Sequence, residues 1–201
     1  NFFDYDGDGW LDVIVANGHI LDNVHLTLPA TSYEQEPQLF RNLGNGRFED
    51  RSRMAGPAFL EKRVGRGAAF GDYDDDGDVD VLVSQSNRPA VLLRNEVGNR
   101  NHYLLLELRG RRRNLHAIGA RVRITAADLV QVEEVRTGTS YLSQNDLRLH
   151  FGLGSRDRVD RVEIRWPNGY LQTLPGESIA LDAVTRILEP EESPSLTRWR
   201  R

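Results

Sequence analysis

The chain has 201 residues, enough for one large domain or two small ones. Its formal net charge of −4 at pH 7 argues against nucleic acid as the main partner. The absence of cysteine excludes a disulfide framework and thiolate chemistry. No run of about 18 apolar residues is available to span a membrane.

Two acidic loops, one at the start of the chain and one near its middle, repeat the same pattern. Each has aspartate at positions 1, 3, 5 and 9 and glycine at position 6. These residues are Asp4, Asp6, Asp8, Gly9 and Asp12 in the first loop, and Asp72, Asp74, Asp76, Gly77 and Asp80 in the second. The backbone carbonyl at position 7, from Trp10 or Asp78, would add a further oxygen.

Calcium is the ion that this pattern favours. Neighbouring ionised carboxylates repel one another and are costly to bury. Ca²⁺ removes both problems because it coordinates six to eight oxygens from a flexible loop. A single copy would also fit a solvated turn, since Asp and Gly dominate turns. Two copies in one register favour calcium.

The residues after each loop distinguish it from an EF-hand. An EF-hand requires a bidentate glutamate at position 12, where this chain has Val15 or Val83. Residues 11–15 and 79–83 are short, β-branched apolar runs and predict buried strands. Asp12 and Asp80, at position 9, are therefore expected to be the bidentate ligands.

The first half continues with repeated elements. Residues 19–37 predict a long surface loop, and Asn-Gly at residues 45–46 predicts a β-hairpin. The two acidic loops begin 68 residues apart, at Asp4 and Asp72, and each is followed by a Leu-x-Arg-Asn segment, at residues 39–42 and 92–95. Self-similarity at a fixed spacing indicates structural repeats.

The second half has a different sequence pattern, without acidic loops. Residues 119–125 and 159–166 alternate apolar with polar residues, which predicts strands with one buried face. Trp166 alternates with the inward set, which favours core packing over sugar stacking. The run of arginines at residues 111–113 predicts an exposed hairpin tip, with contact to an anionic glycan or phosphate as the alternative. Residues 191–201 predict a polar tail.

Both halves resemble known families. A calcium loop that opens into a strand, preceded by residues 67–71 (GAAFG), resembles the FG-GAP or VCBS repeat of integrin-like β-propellers. Residues 94–169 resemble the ASPIC/UnbV domain, which follows such repeats in secreted proteins such as the cartilage acidic protein family. The matching blocks are RN at 94–95, NRNHYL at 99–104, AIGARV at 117–122, EVRTGTSYLSQ at 134–144, HFGLG at 150–154 and VEIRWPNG at 162–169.

The resemblance implies an all-β protein. Residues 1–98 are expected to form two β-propeller-type blades with calcium loops, the last blades of a truncated propeller. Residues 99–190 are expected to form an antiparallel β-sandwich or barrel-like domain. Because the chain begins at Asn1, almost inside the first loop, we interpret it as the C-terminal part of a larger secreted protein whose export signal lies upstream.

The function expected from these features is that of a calcium-binding, non-enzymatic module outside the cell or in the periplasm. It would present a fixed surface to a protein or a glycan. None of the five histidines has metal-ligand spacing, and no serine lies in a nucleophile elbow. The alternative is the accessory region of a secreted enzyme that acts on glycans, with the catalytic domain upstream.

Overall fold

The computed structural model describes residues 1–111 and 113–191 and is all-β, as predicted. The strands are β1 Phe2–Phe3, β2 Asp12–Val15, β3 Gln38–Asn42, β4 Phe48–Asp50, β5 Gly65–Gly71, β6 Asp80–Gln85, β7 Val91–Leu93, β8 His102–Arg109, β9 Arg121–Ala126, β10 Leu129–Glu134, β11 Leu149–Gly154, β12 Arg161–Arg165, β13 Leu171–Pro175 and β14 Val184–Leu188. Short 3-10 helices lie at Val24–Leu26, Ser52–Met54, Pro57–Leu60, Gly98–Arg100 and Gly176–Ser178. None of these helices has the length and apolarity needed to cross a membrane.

The described chain forms two compact units. The first unit comprises Asn1–Tyr5, Trp10–Gly98 and Gly138–Asn145. The second comprises Asp6–Gly9, Asn99–Thr137 and the chain from Asp146 onward. The division into domains at residues 98 and 99 stays a prediction. Of the predicted polar tail, residues 192–201 lie outside the described residues.

The first unit contains two antiparallel sheets with neighbouring strands in chain order. One has the order β1-β2-β3-β4 and the other β5-β6-β7. Such meanders are consistent with the predicted propeller-type blades. The predicted hairpin joins β3 to β4, where Asn42 pairs with Phe48. Both sheets contribute to one apolar core, because Ile14 and Leu39 cluster with Phe70 and Val81.

The second unit also consists of two open sheets around one core, and its described residues form no closed barrel. One sheet is antiparallel with the order β10-β9-β12-β13, and the other has the order β11-β8-β14. β14 runs parallel to β8, an exception to the antiparallel pairing that the sequence predicted for this domain. A parallel pair requires a long crossover connection, and strands β9 to β13 provide it.

The alternation of apolar and polar residues along the strands accounts for the core of the second unit. β9 buries Val122, Ile124 and Ala126, while Arg121 and Arg123 are exposed. Trp166 is 1% exposed, and its Nε1 donates a hydrogen bond to Oε1 of Gln172 at 2.9 Å. The prediction that Trp166 packs in the core is confirmed.

Candidate metal centre

The second acidic loop lies wholly within the first unit and brings three carboxylates together. Oxygens of Asp72, Asp74 and Asp80 lie within 4.8 Å of one another. Asp72 and Asp80 are buried, whereas Asp74 is exposed. The loop ends where β6 begins at Asp80, so the strand holds the last of these residues in place.

Backbone geometry explains why the loop can curl around one point. Gly77, at position 6, has a φ of 98°, which side-chain-bearing residues rarely adopt. Asp75, at position 4, has a φ of 55°, in the left-handed region that Asn and Asp tolerate better than most residues. In the first loop Gly7 occupies position 4 with a φ of 66°. The two loops thus share a backbone path as well as a residue pattern.

Asp72 organises the turn through hydrogen bonds. Its Oδ1 accepts the backbone N–H of Asp76 at 3.1 Å, and its Oδ2 accepts that of Gly77 at 3.0 Å. Burial raises the pKa of Asp72 above its ordinary value, although these two hydrogen bonds act in the opposite direction. The negative charges of Asp75 and Asp76 raise the pKa further. A bound cation would favour the ionised carboxylate that burial disfavours.

Asp80 holds two parts of the repeat together. Its Oδ2 accepts the backbone N–H of Tyr73 at 2.9 Å, and its Oδ1 accepts the backbone N–H of Asn95 at 2.8 Å. The side chain is 2% exposed. Both oxygens therefore already accept a hydrogen bond from the backbone, a structural role that the sequence interpretation did not assign. The expected bidentate coordination of calcium by Asp80 stays a prediction.

The first loop repeats this arrangement at position 9. Oδ2 of Asp12 accepts the backbone N–H of Tyr5 at 3.0 Å, and Oδ1 accepts that of Asn42 at 2.7 Å. Asp12 is fully buried. Of the other carboxylates of this loop, those of Asp4 and Asp6 are buried and that of Asp8 is half-buried.

The remaining predicted ligands of the second loop, Asp76 and Asp78, lie outside its close carboxylate cluster. Asp76 is half-buried, and its carboxylate accepts the backbone N–H of Asp78 at 3.2 Å. Asp78 is 1% exposed. Trp10 is half-exposed, and its ring lies so close to Gly44 that a Cβ there would be 3.0 Å away. The use of the carbonyls of Trp10 and Asp78 as ligands stays a prediction.

Sequence reasoning missed two residues of the second loop's surroundings. Nε of Arg94 lies 3.0 Å from Oδ2 of Asp74, and its Nη2 lies 3.9 Å from Oδ2 of Asp76. The side-chain amide of Asn95 donates to the carbonyl of Val79 at 3.4 Å and to that of Tyr5 at 2.6 Å. The repeated Leu-x-Arg-Asn segment was the available signal, because Asn42 likewise donates to the carbonyl of Leu11 at 3.0 Å.

The donor set of the second loop fits a calcium ion. Ca–O distances of about 2.3–2.6 Å place oxygens on opposite sides of the ion about 4.6–5.2 Å apart. Carboxylate oxygens within 4.8 Å of one another can therefore share one ion. Carboxylates suit hard cations such as Ca²⁺, and the cluster contains no nitrogen or sulfur ligand typical of zinc. Asp72, Asp74 and Asp80 would hold the ion, which would supply positive charge.

Other candidates from the sequence contribute nothing to this centre. Arg111, in the predicted hairpin tip, pairs with Glu191 at 3.0 Å, and its backbone N–H donates to Glu189. Arg112 lies outside the described residues. His150 stacks on Tyr103 with ring centroids 5.5 Å apart, which agrees with a position within a strand.

Comparison with known proteins supports both resemblances. A family model for FG-GAP-like repeats matches residues 4–83, and one described as ASPIC and UnbV matches residues 110–194. Cartilage acidic protein 1 of Mus musculus is 30% identical over 145 residues, which cover 70% of this chain and 22% of that protein. The Homo sapiens protein is 29% identical over 145 residues, with the same coverage. The Xenopus tropicalis protein is 28% identical over 138 residues, which cover 67% of this chain and 21% of that protein.

The chain spans about a fifth of the length of these relatives. The two family models match it in the predicted order, with the FG-GAP-like repeats before the ASPIC and UnbV domain. The chain therefore carries an FG-GAP-like repeat region followed by an ASPIC and UnbV domain, and it is homologous to cartilage acidic protein 1.

Proposed function

We propose that this chain is a calcium-binding, non-enzymatic extracellular interaction module within a larger secreted protein. The observation that carries the proposal is the cluster of Asp72, Asp74 and Asp80, whose oxygens lie within 4.8 Å of one another. Three carboxylates at this spacing repel one another unless a cation lies between them. The match to FG-GAP-like repeats over residues 4–83 adds support.

The ion would act structurally. Asp80 already connects the loop to Asn95, and Asp72 already closes the turn at Gly77. Asp74 is exposed, and within residues 1–111 and 113–191 its side chain ion-pairs only with Arg94. Calcium would fix Asp74 against the two buried carboxylates and so make the blade rim rigid. A rigid rim presents a preorganised surface to a protein or glycan partner, which lowers the entropic cost of binding.

An extracellular setting suits a site of this kind. Calcium sites in extracellular modules commonly have dissociation constants of about 10⁻⁴–10⁻³ M, and calcium concentrations outside cells can fill them. The homologues are named for cartilage and for acidity, and their name states no enzymatic activity. We therefore place the chain outside the cell and assign it a binding role.

Calcium should stabilise the protein against heat. At free calcium about ten times the dissociation constant, one site adds ~1.4 kcal/mol to the free energy of unfolding. For a chain of this size, that corresponds to a rise in Tm of roughly 3–6 °C. Calorimetric melts in chelator, in millimolar Ca²⁺ and in millimolar Mg²⁺ measure the effect. Melts that do not differ between chelator and calcium would refute the proposed site.

Two charge-matched variants separate a ligand from a neighbour. Asp74→Asn removes the exposed carboxylate of the cluster. The hydrogen bonds that Asp72 and Asp80 accept from backbone N–H groups stay intact. It should weaken calcium binding at the second loop by at least about tenfold, or ~1.4 kcal/mol. Asp75→Asn removes the same charge from a residue outside the cluster, and asparagine tolerates its φ of 55°. It should change the affinity only slightly, because solvent screens its charge.

Isothermal titration of both variants, in a background carrying Asp6→Asn to disable the first loop, compares the two affinities. Equal losses would mean that the cluster responds to total charge and does not coordinate an ion through Asp74.

A further inference from the structure

The outer face of the sheet β10-β9-β12-β13 in the second unit has an unusual arrangement of charges. The strand registers place its outward residues in three rows across the four strands. The rows are Glu134, Arg121, Arg165 and Leu171; Val132, Arg123, Glu163 and Thr173; and Val130, Thr125, Arg161 and Pro175. Four arginines and two glutamates give this face a net positive charge, whereas the whole chain carries −4.

Two arginines lie directly opposite each other in neighbouring strands. Arg121 of β9 pairs in register with Arg165 of β12, and both are exposed. The Cβ atoms of residues paired in this way are about 4.5–5.5 Å apart. Like charges directly opposite one another destabilise a sheet. This pair therefore has an energetic cost in the absence of a bound anion.

Carboxylates on the same face compensate this pair only in part. Arg121 forms a long ion pair with Glu134, at 4.0 Å. Among the described residues, no ion pair or hydrogen bond involves the side chain of Arg165. Glu163 is engaged elsewhere, with Arg161 at 3.4 Å and Arg123 at 3.9 Å. Arg165 is thus available to an external oxyanion, and Arg121, whose ion pair with Glu134 is long, can serve as a second donor.

A groove of about 370 Å³ contains this pair of arginines. Val132 and Leu171 line it with apolar surface and are 47% and 42% exposed. Thr173 and Glu163 add polar groups to the lining. The groove therefore combines one cationic position, exposed aliphatic side chains and groups that can hydrogen-bond to hydroxyls.

We propose that this groove binds an acidic sugar of a polysaccharide chain, with the carboxylate or sulfate of the sugar between Arg121 and Arg165. Guanidinium groups bind carboxylates and tetrahedral oxyanions through paired, charge-assisted hydrogen bonds. Leu171, beside Arg165, supports the C–H face of this sugar ring, whose hydroxyls reach Thr173, and Val132 on the opposite edge strand supports a neighbouring sugar of the chain. Glu134 and Glu163 flank the arginines and repel a densely charged polymer such as nucleic acid.

This inference deepens the proposed function and rests on it in treating the chain as an interaction module. It does not depend on the metal centre, because the groove residues all belong to the second unit and none belongs to an acidic loop. Saccharide binding should therefore be the same in chelator and in calcium.

Titration calorimetry on the 201-residue chain tests the proposal with three probes: a galacturonate hexasaccharide, a chondroitin sulfate hexasaccharide and neutral maltohexaose. We expect at least one acidic probe to bind with a dissociation constant below ~1 mM, and the neutral probe not to bind. The two acidic probes show whether carboxylate or sulfate is preferred. Arg165→Gln should weaken binding by at least about tenfold, as expected for one lost charge-assisted contact.

Arg161→Gln is the matched control, because Arg161 lies on the same strand and face but outside the groove lining. It should change the affinity less than about twofold, since a rim charge outside the contact is screened. Equal losses in both variants, failure of both acidic probes, or inorganic sulfate binding as tightly as the acidic sugars would overturn the proposal. Calcium-dependent melts without saccharide binding would overturn this inference alone, and the reverse result would overturn the calcium proposal alone.

Discussion

Replacing Asp80 by alanine should lower the free energy of unfolding by about 2–6 kcal/mol even in the presence of chelator. Asp80 is 2% exposed, and its two oxygens accept the backbone N–H groups of Tyr73 and Asn95. Each donor that loses its acceptor in the interior costs ~1–3 kcal/mol. The relief of repulsion with Asp72 and Asp74 offsets only part of this loss, because Arg94 already neutralises Asp74 in part.

Chemical denaturation in chelator, followed by circular dichroism, measures this change without a contribution from calcium. Asp75→Asn is the control, since Asp75 is exposed and lies outside the cluster. It should remain within about 0.5 kcal/mol of the parent chain. If the two variants were equally stable in chelator, the structural role of Asp80 in connecting loop and strand would be wrong.

Replacing Trp166 by alanine should destabilise the second unit by about 3–5 kcal/mol, the usual cost of removing a buried aromatic side chain. Trp166 is 1% exposed and belongs to the same core as Phe151 and Ile164. The change also leaves Oε1 of Gln172 without the hydrogen bond that Nε1 donates at 2.9 Å.

Thermal and urea denaturation followed by far-ultraviolet circular dichroism tests this expectation. Leu115→Ala provides the comparison in the same unit, because Leu115 is 54% exposed and its truncation should cost less than about 0.5 kcal/mol. Trp166→Phe should fall between the two, since phenylalanine fills most of the space but cannot donate to Gln172. A Trp166→Ala variant as stable as Leu115→Ala would contradict the assignment of Trp166 to the core.

The sequence by itself determined the features that depend on neighbouring residues. Alternate aspartates with a glycine at position 6 specify a tight acidic loop, and the structure shows Gly77 with the positive φ that such a turn requires. The β-branched run that follows specifies a strand, observed as β6. Alternation likewise placed Trp166 in the core, because side chains along a strand point to opposite faces.

Only the tertiary structure decided which distant groups meet. Asn95 follows Asp80 by 15 residues and Asn42 follows Asp12 by 30, so no fixed spacing reveals that the backbone N–H of each asparagine donates to the aspartate at position 9. The parallel pairing of β14 with β8 and the opposition of Arg121 and Arg165 depend on strand order and register. These are set by the packing of whole sheets, since a one-residue shift would exchange the buried and exposed faces.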